Sequence, residues 1–145
     1  MSRNLSWALD DEPIVTKPGE KPQALVVDDD PDFLEQMRLG LASLGFEVTT
    51  AENEKGATEY LNHCRPDLVV LDLIMERPDS GFLLSYRMKK KYPQTPIIMV
   101  SAVTSRTGLN FEAATPGERA WVKADALLAK PVRLEQLQRE IERLM

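Results

Sequence analysis

The chain has 145 residues, 43% of them hydrophobic and 28% charged, with a formal net charge of -5. That length suits one domain with a single core, and no apolar run approaches the roughly 20 residues that a membrane span needs. The acidic balance argues against sequence-independent binding of nucleic acid, which relies on basic patches to neutralise phosphates. Cys64 is the single cysteine, which excludes an intramolecular disulfide, and the first residues lack a basic-then-apolar signal segment; the expected location is the cytoplasm.

Residues 1–22 carry Pro13, Pro18, Pro22, Gly19 and scattered charges without a sustained period, and read as an extension to a domain spanning residues 23–145. Trp7 and Leu9 within it have the apolar bulk to dock. Residues 24–27 form an apolar strand running into Asp28, Asp29 and Asp30. Pro31 and Asp32 open a helix in which Phe33, Leu34, Met37, Leu41 and Leu44 recur at three and four, and Gly45 ends it. Residues 46–51 make a short second strand. Asn53 is placed to cap a helix carrying Ala57, Tyr60 and Leu61, and Pro66 stops the chain before a third strand at residues 68–71, which ends on Asp72.

A third helix is expected after Gly81, with Phe82, Leu83, Tyr86 and Met88 turned inward. Its end carries Arg87, Lys89, Lys90 and Lys91, a cluster whose plain reading is complementarity to the helix dipole. Residues 96–100 form a fourth strand ending on Ser101, and residues 126–129 a fifth ending on Lys130 and Pro131. The last helix has the clearest period, Leu134, Leu137, Ile141 and Leu144. Strands alternating with helices imply βαβ units and a parallel sheet. In such a sheet the carboxyl ends of the strands lie along one edge, where open α/β sheets bind ligands. Three carboxylates, a hydroxyl and an ammonium then converge.

Taken alone, each residue has a plainer reading. The Asp28-Asp29-Asp30 run before Pro31 fits an acidic helix cap, Asp72 fits a turn, and Ser101 and Lys130 are individually uninformative. The conjunction is specific. An acidic pair after the first strand, Asp72 after the third, Ser101-Ala102 after the fourth and Lys130-Pro131 after the fifth resembles the receiver domain of two-component response regulators, from Ala24 to the C-terminus.

The resemblance implies a flavodoxin-like, doubly wound five-stranded parallel sheet in the order 2-1-3-4-5, with helices on both faces and Asp28, Asp29 and Asp72 in one crevice. Carboxylates about 4 Å apart repel by on the order of 4 kcal/mol per pair at an effective dielectric near 20, and a divalent cation relieves this. Hard oxygen donors with room for water suit Mg²⁺. By resemblance, Asp29 and Asp72 are direct ligands together with the backbone carbonyl of Ile74, and Asp28 acts mainly through water. Asp72 is the phospho-acceptor, Lys130 holds the moving phosphoryl, and the Ser101 hydroxyl turns to the new phosphoryl oxygen. The Lys130-Pro131 peptide fits the family's cis bond.

The donor implied is a sensor histidine kinase or phosphotransfer protein, and the output a changed surface for a downstream protein target, with no nucleic acid and no membrane as partner. With the sequence ending at Met145, the expectation is a stand-alone regulator and phospho-acceptor rather than a turnover enzyme. Two rivals are a small Mg²⁺-dependent phosphatase and a receiver-shaped interaction module that takes no phosphate. The first is weakened because haloacid-dehalogenase phosphatases need a second Asp two residues after the nucleophile, where this chain has Ile74. The second is weakened by intact Asp29, Asp72 and Lys130. The absence of a Gly-rich phosphate loop disfavours a nucleotide ligand, and His63 lacks a second ligand in metal spacing.

The chain departs from the family pattern at several points. Glu76 stands where most receivers have Pro, the following glycine is Gly81, one residue late, and Leu127 replaces the usual switch aromatic. The segment from Ser101 to Lys130 is long and includes Leu109, Phe111 and Trp121, which makes it the expected output surface. Ile74 and Val103 are apolar where receivers often hold a hydrolytic water, which implies a long-lived phosphoryl group.

Overall fold

The alternation of side chains along each strand decides which helix covers which face. The computed structural model describes residues 19–72, 80–101 and 124–145, residues 80–82 by backbone alone. Chain order is β1 (Gln23–Val27), α1 (Pro31–Ser43), β2 (Glu47–Ala51), α2 (Glu54–His63), β3 (Leu68–Asp72), α3 (Ser80–Lys91), β4 (Ile97–Ser101), β5 (Ala126–Ala129) and α4 (Leu134–Leu144). The five strands are parallel and lie in the order β2-β1-β3-β4-β5, as expected.

Ala24 and Val26 of β1, Leu68 and Val70 of β3, and Ile98 and Val100 of β4 point to one face, where they meet Phe33, Leu34, Met37 and Leu41 of α1 and Leu137 of α4. The intervening residues Leu25, Val27, Val69, Leu71, Ile97 and Met99 point to the other, against Ala57 and Leu61 of α2 and Leu84, Met88 and Tyr92 at α3. Period-two side chains covered on both sides give strands with no polar face, which is why β1, β3 and β4 are near-continuous apolar runs. The edge strand β2 keeps Glu47 and Thr50 exposed. Strand order reverses between β1 and β3, so right-handed crossovers put α1 on the opposite face from α2 and α3.

The helix ends follow the local sequence. Asp30 caps α1, its Oδ1 accepting from the Asp32 amide at 3.0 Å, with Pro31 in the first turn. At the other end Gly45 takes φ +99°; its amide donates to the Ala42 carbonyl and that of Phe46 to the Leu41 carbonyl, each at 3.0 Å. This is the left-handed termination that glycine tolerates without a Cβ penalty. Asn53 caps α2, its Oδ1 accepting from the Gly56 amide at 2.8 Å.

Two expectations are corrected. The third helix already includes Ser80 and Gly81, a boundary difference of one turn's end. Among its described side chains Leu84, Ser85 and Met88 face inward, whereas Leu83 and Tyr86 are exposed; the side chain of Phe82 lies outside those described. Leu83 and Leu84 are adjacent and cannot both face the sheet; the pair Leu84 and Met88, one turn apart and continued by Tyr92, wins the core. In α4, Leu134 is exposed although it lies in register with buried Leu137; it rests by Gly40 of α1, where an added Cβ would come 3.4 Å from it.

Candidate functional site

β1 and β3 are neighbours, with Val27 paired to Leu71, so Asp28 and Asp72 leave the sheet side by side. Asp72 is the last residue of β3 and Ser101 the last of β4, where Asp72 pairs with Val100. β5 adds Ala129 opposite Ser101, and the Lys130 amide then donates to the Ser101 carbonyl at 2.8 Å. The Lys130-Pro131 peptide is cis. Four strand ends thus bring Asp28, Asp29, Asp72, Ser101 and Lys130 to one edge.

The acidic run divides its labour. Asp30 is the helix cap. Asp28 is wholly buried: its Oδ1 accepts from the Asp30 amide at 2.8 Å and its Oδ2 lies 2.6 Å from the Lys130 ammonium. Asp29 is exposed, and Asp72 is buried at 5% exposure. One carboxylate oxygen from each of Asp28, Asp29 and Asp72 falls within 4.8 Å of the others. The cap reading of this run is met by Asp30, while Asp28 and Asp29 bring their oxygens close to that of Asp72.

Burial pushes the Asp28 carboxyl above its ordinary value of 3.8, and Asp29 adds to the rise, while the Lys130 ammonium and the Asp30 amide oppose it. Loss of water is the larger effect, because a carboxylate sealed from solvent loses hydration that one ammonium and one amide only partly replace. The donor set is three hard carboxylate oxygens, two of them from buried residues and the third open to solvent. It fits a small divalent cation that keeps some of its water, as Mg²⁺ does. Asp28 Oδ1 accepts an amide, whereas Oδ2, although ion-paired with Lys130, accepts no hydrogen bond among the described residues and so keeps an acceptor for water in the crevice.

Phe33 is a core position by its period in α1. Its ring also lies under the Lys130 ammonium, with 4.3 Å from Nζ to the centroid, and so helps to hold the lysine over the crevice. Its place in the first turn of α1, directly after the acidic run, is the signal that could have found it. Leu127, in the gate position, packs partly buried against the core face shared by α2 and α3. His63 is exposed at the end of α2. Ile74, Glu76, Val103, Leu109, Phe111 and Trp121 lie outside the described residues, as do Trp7 and Leu9. Among the described residues no helix is long and apolar enough to cross a membrane.

Known proteins resemble this chain in sequence and fold. The chain is 30% identical over 129 residues to response regulator Rre1 of Synechocystis, covering 88% of this chain and 53% of that protein. It is 40% identical over 78 residues to the transcriptional regulatory protein GlrR of Escherichia coli, covering 54% of this chain but 17% of the relative. The chain thus spans about half or less of the length of these relatives. Among solved structures it is similar to the response regulator TrrA of Thermotoga maritima in complex with Mg²⁺-BeF, at 27% identity and TM-score 0.69, covering 86% of this chain and 99% of that one. The chemotaxis response regulator CheY4 of Vibrio cholerae is similar at 28% identity and TM-score 0.70, with the same coverage. Residues 24–142 match the family described as the response regulator receiver domain, to which this chain belongs.

Proposed function

We propose that this receiver accepts a phosphoryl group on Asp72 in a Mg²⁺-dependent reaction and thereby switches a protein-binding surface. The observation that carries the reading is the juxtaposition at one sheet edge of buried Asp72, the Asp28–Lys130 pair and exposed Asp29. That TrrA, alike in fold across nearly its whole length, was solved with Mg²⁺-BeF supports it.

In the transfer, an Asp72 carboxylate oxygen attacks phosphorus while the bond from phosphorus to the donor's imidazole nitrogen breaks, leaving an acyl phosphate and a free histidine on the kinase or phosphotransfer protein. Asp29 and Asp72 would hold the cation, with Asp28 acting through water and the Ile74 carbonyl as a further ligand. The cation supplies charge neutralisation for the phosphoryl oxygens. Lys130, held by Asp28 and Phe33, is positioned for the same oxygens, since phosphoryl transfer is mostly positioning plus charge stabilisation. The Ser101 hydroxyl, at the end of the neighbouring strand, is the group to turn toward the new anion, and the backbone beyond it follows.

Intact-mass analysis after incubation with acetyl phosphate and Mg²⁺ tests the assignment. The expected result is one phosphoryl adduct on the wild type and none on Asp72→Asn or in EDTA; a full adduct on Asp72→Asn overturns it.

A further inference from the structure

A groove of about 160 Å³ runs between α2 and α3 on the face of the domain away from α1. Its floor is apolar, built from Leu61, Leu84, Met88 and Tyr92, and its two charged lining residues are both basic, Arg87 and Lys91. A cavity of about 150 Å³ is enough to take up a benzene ring. The plain reading of the basic helix end accounts for part of the cluster. Lys89 is held by the Thr95 carbonyl and Asp125, each at 2.8 Å, and Lys90 lies over the Tyr86 ring. Arg87 pairs with Glu54 at 2.7 Å yet stays 59% exposed, and Lys91, also exposed, lies 5.5 Å from the Tyr92 centroid. In an acidic chain, a groove with an apolar floor and two cations at its rim, one of them shared with Glu54, selects an acidic ligand with an aromatic anchor.

The chain carries such a segment, Trp7-Ala8-Leu9-Asp10-Asp11-Glu12. It is within reach. The Gln23 amide donates to Asp67 Oδ2 at 2.7 Å and the Asp67 amide to the Gln23 carbonyl at 2.7 Å, which puts the start of β1 one short loop from the end of α2, where Leu61 and Asn62 line the groove. The seven residue steps from Glu12 to Gly19, where the described chain begins, extend up to about 23 Å, against about 15 Å for the whole of α2. Attachment to the same chain gives an effective concentration in the millimolar range, so weak contacts suffice to fill the groove.

We propose that Trp7 to Glu12 docks in the α2–α3 groove, the Trp7 ring over Leu61, Leu84 and Met88, and Asp10, Asp11 and Glu12 against Arg87 and Lys91. This surface is distinct from the phosphoryl-transfer edge, and the proposal does not rest on phosphorylation.

The full chain carrying Trp121→Phe, which leaves Trp7 as the sole tryptophan, provides the test through emission maximum and acrylamide quenching. The expected result is blue-shifted Trp7 emission with a quenching constant at most about half that of the free peptide of residues 2–12, which corresponds to half occupancy. Arg87→Glu with Lys91→Glu should weaken docking roughly tenfold at low salt and return quenching toward the peptide value. Adding Asp10→Lys and Asp11→Lys to that variant should restore protection. Quenching equal to the free peptide, or protection indifferent to the charge reversal, overturns the proposal. Protection that grows with protein concentration also overturns it, in favour of a second copy as the occupant.

Discussion

At the scale of single residues, the Asp28–Lys130 pair is where stability and chemistry meet. Asp28 has no solvent exposure, so Lys130→Ala would leave its carboxylate, among the described residues, with only the Asp30 amide, and breaking a buried pair from one side costs on the order of 3 kcal/mol. The sign with pH follows from the direction of the Asp28 shift. Its carboxyl is already raised by burial in the folded state, so the fold binds this proton more readily than the unfolded chain, and stability from this group falls as pH rises above the ordinary value of 3.8. Without Lys130 the rise is larger and the falling limb extends further up. The expected outcome is a Lys130→Ala deficit in Tm that is small at about pH 5, grows toward about pH 8, and shrinks on adding Mg²⁺ by more than Mg²⁺ raises the wild type. Thermal scans at the two pH values, with and without Mg²⁺, check this. An equal Mg²⁺ effect on both proteins would mean that lysine and cation do not share the same carboxylates.

At the scale of elements, α2 is tied at both ends by side chains that the sequence names with unequal clarity. Asn53 caps the start, a role readable from its place before Glu54, and Asn53→Ala should cost about 1 kcal/mol. The far end is closed by Tyr92, whose hydroxyl donates to the Leu61 carbonyl at 2.8 Å from 31 residues away. Nothing local to Leu61 announces that bond. Burial pushes the Tyr92 phenol up, with Cys64 adding to the rise, as suits a hydroxyl that serves as donor. Tyr92→Phe leaves a buried carbonyl without this donor and should also cost about 1 kcal/mol. The ten residues of α2 keep the two sites apart, so the double variant should lose close to the sum, about 2 kcal/mol in urea unfolding. A markedly smaller loss would indicate that freeing one end already frays the other.

At the scale of the whole molecule, the open question is which surface reports on the site. Leu127, which by resemblance stands where receivers carry a switch aromatic, has no ring to flip and packs partly buried against the core. Ser101 closes β4, and the residues that follow it through to 123 include Leu109, Phe111 and Trp121, apolar anchors of the kind interfaces use. Movement of Ser101 toward a phosphoryl oxygen pulls first on that stretch. Amide hydrogen exchange with and without beryllofluoride and Mg²⁺ should therefore show altered protection across residues 103–124. Change confined to the loops around Asp29 and Asp72 would make that stretch a structural cover instead.

The sequence by itself determined the architecture and the edge where the chemistry sits. Apolar runs of four or five residues, each followed at once by a polar group, specify buried parallel strands, and strand direction then sends Asp28, Asp72, Ser101 and Lys130 to the same side whatever the packing details. Gly45 and Asn53 were equally legible, because left-handed backbone and helix caps depend on chemistry within a few residues. Tertiary structure decided what depends on contacts between distant residues. Leu83 and Leu84 have the same local pattern, and only the sheet beneath α3 selects Leu84. The triplet Asp28-Asp29-Asp30 reads as one acidic run, and only the approach of Lys130, a hundred residues later, separates a buried paired carboxylate from an exposed one and a helix cap. Phe33 acquires its contact with that lysine in the same way. Periodicity fixes which face of an element is apolar; which polar atom meets which is set by the fold that brings them within a few ångströms.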